Sequence, residues 1–258
     1  MQEITNYEHN HQYIRVLEPP AVGAEQDWLN PQFWQQREAI VGQSKGRNTV
    51  WFVTDGQREF VLRHYYRGGL PGKFIRDQFL YTGMENTRSI AEFNLLGSMH
   101  ALGLPVPKPV AAKVYQIGLW YRADILIERI ANSQDLFSAL SRAPVAERVW
   151  HAIGATIAAF QLAGVQHSDL NCHNILLQHA TVKGATASVL SEQDTKIWLI
   201  DFDRCDMRPP GAWQERNLKR LKRSLRKEQA QQRDFYWREH DWQALLRGYN
   251  EHVRNHQG

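Results

Sequence analysis

The chain has 258 residues, 43% of them hydrophobic and 22% charged, with a net charge of +4. Those values exclude a disordered or fibrous class and leave room for one or two domains with a sizeable core. No apolar run reaches the ~20 residues that span a bilayer.

The first twenty residues carry no signal-peptide core, and two cysteines, Cys172 and Cys205, suit a reducing compartment. A cytoplasmic location is expected. The charge is uneven. Residues 204–238 hold eleven lysines and arginines against four acids, or +7, while the remainder holds 20 against 23, or −3. A local excess of this kind calls for a local anionic partner.

In chain order, residues 1–40 are mixed in pattern, and EPPAVG (18–23) is a turn signal. Residues 1–35 are set apart as an N-terminal extension. Apolar and β-branched runs at 49–54 and 59–65 flank DGQ (55–57), which predicts a hairpin. Asn86 or Thr87 is placed to cap a helix with Ile90, Phe93, Leu96 and Met99 on one face. Gly103 ends it, and LPVPKPV (104–110) forbids continuation. ADILIERI (123–130) reads as a buried strand. Val145, Val149, Ile153, Ile157 and Phe160 predict a helix over 145–163 with Pro144 in its first turn. A polar excursion at about 179–195 precedes the apolar strand KIWLIDFD (196–203). Strands early and helices late predict an α+β chain, a sheet-rich N-lobe over 36–130 and a mainly helical C-lobe over 131–258.

The chemistry concentrates in HSDLNCHN (167–174) and DFD (201–203). Polar groups this dense beside an apolar run face a ligand, because each one buried without a partner costs about 1–3 kcal/mol. Carboxylate and amide oxygens suit Mg²⁺ with its waters and phosphates. A further carboxylate can accept a proton from an attacking hydroxyl. His167, His173 and His179 lack zinc spacing. His167 is expected to brace the loop through main-chain hydrogen bonds.

HSDLNCHN aligns with the pattern H-R-D-L-x-x-x-N, and DFD stands where kinases carry D-F-G. Over about residues 40–205 the chain therefore resembles the protein-kinase-like fold. The resemblance implies ATP bound between the lobes, Asp169 as the base, and Asn174 and Asp201 on Mg²⁺. Asp203 either reaches a second metal or caps the next turn. Gly42 and Gly46 stand in the phosphate-covering turn, and Arg63 takes the place of the phosphate-pairing lysine. Glu92 orients that arginine, and the main chain near Glu128 and Ile130 forms the nucleotide hinge. GQSKGRN (42–48) lacks the full G-x-G-x-x-G, Ser168 replaces the arginine of H-R-D, and no A-P-E follows Asp201. These departures point to a small-molecule or glycan kinase with no activation-loop control.

LRHYYRGGL (62–70), LPVPKP (104–109), LIDFDRC (199–205) and NLKRLKRSLRKE (217–228) narrow the likeness. Together with the loop they resemble the Kdo-phosphorylating branch of the lipopolysaccharide kinase family of Gram-negative bacteria. That resemblance implies phosphorylation of the 4-OH of Kdo on a Kdo-lipid A precursor, at the cytoplasmic face of the inner membrane. Other members of the fold, acting on heptose or aminoglycosides, and an inactive nucleotide- or membrane-binding module are the alternatives.

The basic segment has two readings. It is a solvated helix docked by Leu218, Leu221 and Leu225, or its Lys222, Arg223, Arg226 and Lys227 touch anionic headgroups at about 1 kcal/mol per cation. Arg67 in RGGL is a further candidate for acceptor contact. A nucleic-acid partner would leave the acids of the loop unexplained and is not expected. The oligomeric state stays open.

Overall fold

The computed structural model describes residues 3–45, 49–67, 77–179 and 195–257. They form two compact units. Unit 1 comprises Met1–Ser98 and Pro107–Arg129, and unit 2 comprises Met99–Val106 and Ile130–Gly258.

Unit 1 begins with a hairpin of β1 (Thr5–His9) and β2 (Gln12–Val16). Its two-residue loop has Asn10 at φ 44° and His11 at φ 65°. Positive φ at both positions is the twist that right-handed strands require. Asn30 caps α1 (Pro31–Gln36), its side chain accepting from the Gln32 amide at 3.0 Å. Then come β3 (Ile40–Lys45), β4 (Thr49–Thr54), β5 (Glu59–His64) and β6 (Phe79–Leu80). The predicted hairpin is the β4–β5 pair, with Asp55 accepting from the amides of Gln57 and Arg58.

Helix α2 (Arg88–Ala101) follows, its first hydrogen bond received by the Thr87 carbonyl from Ala91. Ile90, Phe93, Leu96 and Met99 are buried as their spacing predicts, and Gly103 at φ 73° ends the helix. With β7 (Pro109–Ile117) and β8 (Trp120–Glu128), the strands make one antiparallel sheet. Its order is β1-β2-β7-β8-β5-β4-β3, and β6 pairs with β8.

The core of unit 1 draws on the whole stretch. Trp28, Leu29 and Trp34 pack with Ile14, Val53, Phe60 and Leu126. The stretch before residue 36 is thus built into the sheet and its core. Trp34 donates its indole N–H to the Trp28 carbonyl at 2.8 Å, which satisfies the polar atom of a fully buried side chain.

In unit 2, β9 (Ser133–Asp135) leads into α3 (Leu136–Leu140), capped by Asp135. Helix α4 (Glu147–Leu162) starts later than the periodicity predicts, so Pro144 and Val145 precede it. It is followed by β10 (Val165–Gln166), a 3₁₀ turn at Cys172–Asn174, β11 (Ile175–His179), β12 (Thr195–Leu199) and β13 (Asp206–Met207). The strand order β12-β11-β9 forms one small sheet, and β10 pairs with β13. Two helices close the unit, α5 (Trp213–Gln231) and α6 (Glu239–Gln257).

Helices α4 and α6 meet backbone to backbone. A Cβ at Gly154 would lie 1.9 Å from the Leu245 carbonyl oxygen, and one at Gly248 would lie 2.0 Å from the His151 carbonyl oxygen. Only glycine permits this approach, and α4 in turn supports the strand and loop that follow it.

Candidate active site

Register places the acidic residues of unit 2. Ile175 pairs with Leu199 in the antiparallel β11–β12 ladder. Asn174, just before one strand, therefore faces residues 200 and 201, just after the other. The Ile200 amide donates to the Asn174 carbonyl at 3.1 Å. Asn174 is 8% exposed, and its Nδ2 donates to the Asp169 carbonyl at 2.9 Å. With the nitrogen committed, Oδ1 is the amide atom left for a cation.

Three further ties hold the loop to the segment after β12. His167 bonds the Ile200 carbonyl through Nε2 at 3.0 Å, while its Nδ1 accepts from the Asp169 amide at 3.2 Å. These roles define a neutral imidazole with its proton on Nε2. Burial pushes the His167 pKa down, outweighing the Ile200 carbonyl and the nearby Asp201 and Asp169, which act the other way. Ser168 donates Oγ to the Asp203 carbonyl at 2.9 Å and its amide to Cys205 Sγ at 3.2 Å. The serine that replaces the H-R-D arginine is thus a strut between the two segments. Asp203 enters these contacts through its main chain.

Asp201 lies two residues beyond β12, in the left-handed region at φ 63°. Few non-glycine residues adopt it, and aspartate is among those that tolerate it. Asp169 exposes 59% of its side chain, and Arg220 on α5 donates Nη1 to its Oδ1 at 3.2 Å. In the sequence Arg220 reads only as one cation of the basic segment, since a partner 51 residues away leaves no local signal.

In unit 1, Arg63 on β5 donates Nη2 to Glu92 Oε2 on α2 at 2.5 Å. Glu92 is only 2% exposed. The same oxygen accepts from the Tyr65 hydroxyl at 2.6 Å. Burial first, and then the Glu92 charge, push the Tyr65 pKa well up, so the phenol stays a donor. Tyr65 was missed by sequence. The available signal was its position two residues after Arg63, the spacing that puts two side chains on one face of an extended chain.

The remaining predicted residues lie as follows. Gly42 is inside β3, at a bulge facing Phe52, where a Cβ would come within 3.2 Å of that ring. Gly46 with residues 47 and 48 of that turn, residues 68–70 of RGGL and the excursion at 180–194 lie outside the described residues. Glu128 is paired across the sheet with Phe60, its amide donating to Lys108, and the Ile130 carbonyl accepts from Ser133 Oγ at 2.7 Å. The Arg67 guanidinium lies over the rings of Phe79 and Trp120, at 5.5 and 5.7 Å from their centroids. On α5, Lys222 and Arg226 reach Glu239, and Lys227 reaches Glu228.

A cavity of about 340 Å³ opens beside the loop, lined by Ser168, Trp213, Arg216, Lys219, Arg220 and Arg223 among others. Among the described residues no helix is long and apolar enough to cross a membrane.

The profile of the lipopolysaccharide kinase (Kdo/WaaP) family matches residues 31–249. The chain is similar to a curated 3-deoxy-D-manno-octulosonic acid kinase from Photobacterium damsela subsp. piscicida. They are 45% identical over 221 residues, covering 85% of each. It is also similar to one from Vibrio parahaemolyticus, at 39% identity over 242 residues, covering 94% of this chain and 95% of that one. Among solved structures it resembles WaaP in complex with acyl carrier protein, with a TM-score of 0.55 and 18% identity. That match covers 84% of this chain and 82% of the other. The Rio2 kinase–ADP/Mg²⁺–phosphoaspartate complex from Chaetomium thermophilum gives 0.50 at 14% identity, over 86% and 74%. The fold is thus protein-kinase-like, as expected from the sequence.

Proposed function

The chain belongs to the lipopolysaccharide kinase (Kdo/WaaP) family, and from that premise we propose that it transfers the γ-phosphoryl group of ATP to the 4-OH of Kdo on Kdo-lipid IVA. Its reaction class is phosphoryl transfer to a sugar hydroxyl. One observation carries the assignment of roles: Asn174 bonds the Asp169 main chain while its own carbonyl receives Ile200. That pair of bonds ties the main chain of Asp169 to Asn174, and Asn174 to Ile200, the residue before Asp201.

Asp169 orients the acceptor hydroxyl and takes its proton, worth about 10²–10⁴ in rate. Asn174 and Asp201 fit a magnesium ion, being one amide and one carboxylate, both hard oxygen donors with room left for waters and phosphates. When bound, that ion neutralises charge on the nucleotide phosphates. Arg63, oriented by Glu92 and Tyr65, holds phosphate oxygens through a planar fork. Gly42, Gly46 and the main chain near Glu128 and Ile130 complete the nucleotide contacts. The rate gain comes from positioning and charge neutralisation.

The acceptor is borne by a lipid, so the protein meets it at the cytoplasmic surface of the inner membrane. Two features support peripheral contact. Helix α5 carries Lys222, Arg226 and Lys227 beyond the cavity, and the β7–β8 turn exposes 74% of Leu119 beside Trp120. A basic helix and an apolar turn tip with an indole each suit the headgroup region.

The test is acceptor screening with the full chain, labelled ATP and Mg²⁺. Kdo-lipid IVA takes label, whereas free heptose and aminoglycosides do not. Label on those acceptors in preference to Kdo-lipid IVA would assign the enzyme to a different acceptor. Mg²⁺-dependent ATP consumption with no acceptor phosphorylated would end the reading.

A further inference from the structure

The base of the proposed reaction borders a basic cavity that is open to solvent. Arg216, Lys219, Arg220 and Arg223 stand at i, i+3, i+4 and i+7 on α5, so they form one stripe of the helix. All four line the 340 Å³ cavity together with Ser168, the residue next to Asp169. No acid is among the residues that line it. Lys219 is engaged by Glu215 at 2.6 Å. Arg220 reaches from the cavity to Asp169. The volume lies at the small end of the range for ligand pockets, about 300–1,000 Å³. Trp213 supplies an apolar wall, with its indole N–H already satisfied by the Pro209 carbonyl at 2.8 Å.

Lys222, Arg226 and Lys227, towards the other end of α5, do not line the cavity; they reach the carboxylates of Glu239 and Glu228 instead. We propose that the cavity under Arg216, Lys219, Arg220 and Arg223 binds the carboxylate of the sugar-acid acceptor, so that the enzyme selects anionic sugars. The proposal rests on the functional reading above. Kdo carries its carboxylate on the same ring as the 4-OH, whereas the phosphates of the lipid disaccharide belong to other sugars. A group that must sit one sugar ring from Asp169 is therefore the carboxylate. Guanidinium forks hold such a group in two parallel bonds, which fixes the ring as well as its charge.

Arg220 links this recognition to the base. Its pair with Asp169 is half-exposed on both sides, at 42% and 59%, and such pairs are weak and easily exchanged. An arriving carboxylate competes for the same guanidinium and leaves Asp169 free to accept the hydroxyl proton. An uncharged sugar does neither.

The experiment has a binding arm and a turnover arm. Calorimetric titration of the full chain uses free Kdo, its C1 methyl ester and inorganic phosphate, with wild type and an Arg216→Gln/Arg223→Gln double variant. The expected result is that the ester binds at least tenfold more weakly than the acid to wild type. The variant loses that difference, and its KM for Kdo-lipid IVA rises at least tenfold while KM for ATP is unchanged. Equal binding of acid and ester overturns the proposal. So does a variant that still distinguishes them, or one whose KM rises only for acceptors that keep their lipid phosphates. Wild type that binds the acid in preference to the ester, yet phosphorylates no Kdo-lipid acceptor, would keep the site and remove the kinase assignment instead.

Discussion

Glu92 receives two hydrogen bonds on one oxygen, from Arg63 at 2.5 Å and from Tyr65 at 2.6 Å, in a setting where it is 2% exposed. A carboxylate so far out of water keeps its charge only through such partners. The pair therefore joins stability to the phosphate-holding role proposed for Arg63. Arg63→Met is expected to cost about 3–5 kcal/mol, because it takes the cation away from a buried carboxylate. Glu92→Gln keeps an acceptor for both donors and is expected to be milder in denaturation, yet to raise KM for ATP. Chemical unfolding and nucleotide titration on both variants check the split. A Glu92→Gln protein with unaltered ATP kinetics would reduce the pair to a structural one.

Asp169 projects into solvent and leaves the fold to its neighbours, so Asp169→Asn should unfold with wild-type stability. Its kcat is expected to fall by about 10²–10⁴-fold, the usual weight of a general base. Single-turnover measurement with Kdo-lipid IVA checks this. Retained turnover would remove Asp169 from the base role.

His167 gives a pH signature with a defined sign. Burial lowers its folded-state pKa below the ordinary histidine value of 6.5, so the unfolded chain binds the extra proton first. Its contribution is complete above 6.5 and is lost as pH falls from there through the folded value. Proton NMR of its ring should show a midpoint below 6.5. His167→Gln should flatten the loss of stability on acidification over that window.

Gly154→Ala tests the α4–α6 contact. Alanine gains up to about 1 kcal/mol in helix propensity, but its methyl would sit on the Leu245 carbonyl. Overpacking of this kind typically costs 1–3 kcal/mol, and a backbone contact at 1.9 Å falls at the upper end of it. A net loss of about 2 kcal/mol by thermal unfolding is expected. No loss would mean that the helices part at no cost.

Neutralising Lys222, Arg226 and Lys227 should weaken binding to anionic vesicles at low salt, but by less than three free cations would. Glu239 and Glu228 already offset part of their charge. Vesicle sedimentation at two salt concentrations measures it. Unchanged binding at low salt would exclude this face of α5 as the membrane contact.

What was legible in the sequence follows the strength of local signals. The β4–β5 hairpin carried its own turn, and α2 carried its buried stripe and its stop at Gly103. The loop and strand-end acids were legible because their order and spacing match the kinase pattern H-R-D-L-x-x-x-N and D-F-G. The β1–β2 hairpin was not, since its turn is Asn10–His11 and lacks the glycine that marks such turns. The partners of Asp169 and Lys222 were hidden for another reason: they come from helices distant in the chain, and only tertiary packing brings them in. The glycines of the 42–48 turn read as phosphate contacts, whereas Gly42 also has a packing role against Phe52 that no motif announces.

Position 201 has an evolutionary consequence. Its main-chain geometry admits aspartate, asparagine and glycine with little penalty, and most other residues badly. Of those three, one bears a charge. Given the metal-holding role proposed for Asp201, a descendant released from selection on catalysis would be free to drift to asparagine or glycine while keeping its architecture. Silent paralogues of this enzyme should be recognisable by that single exchange.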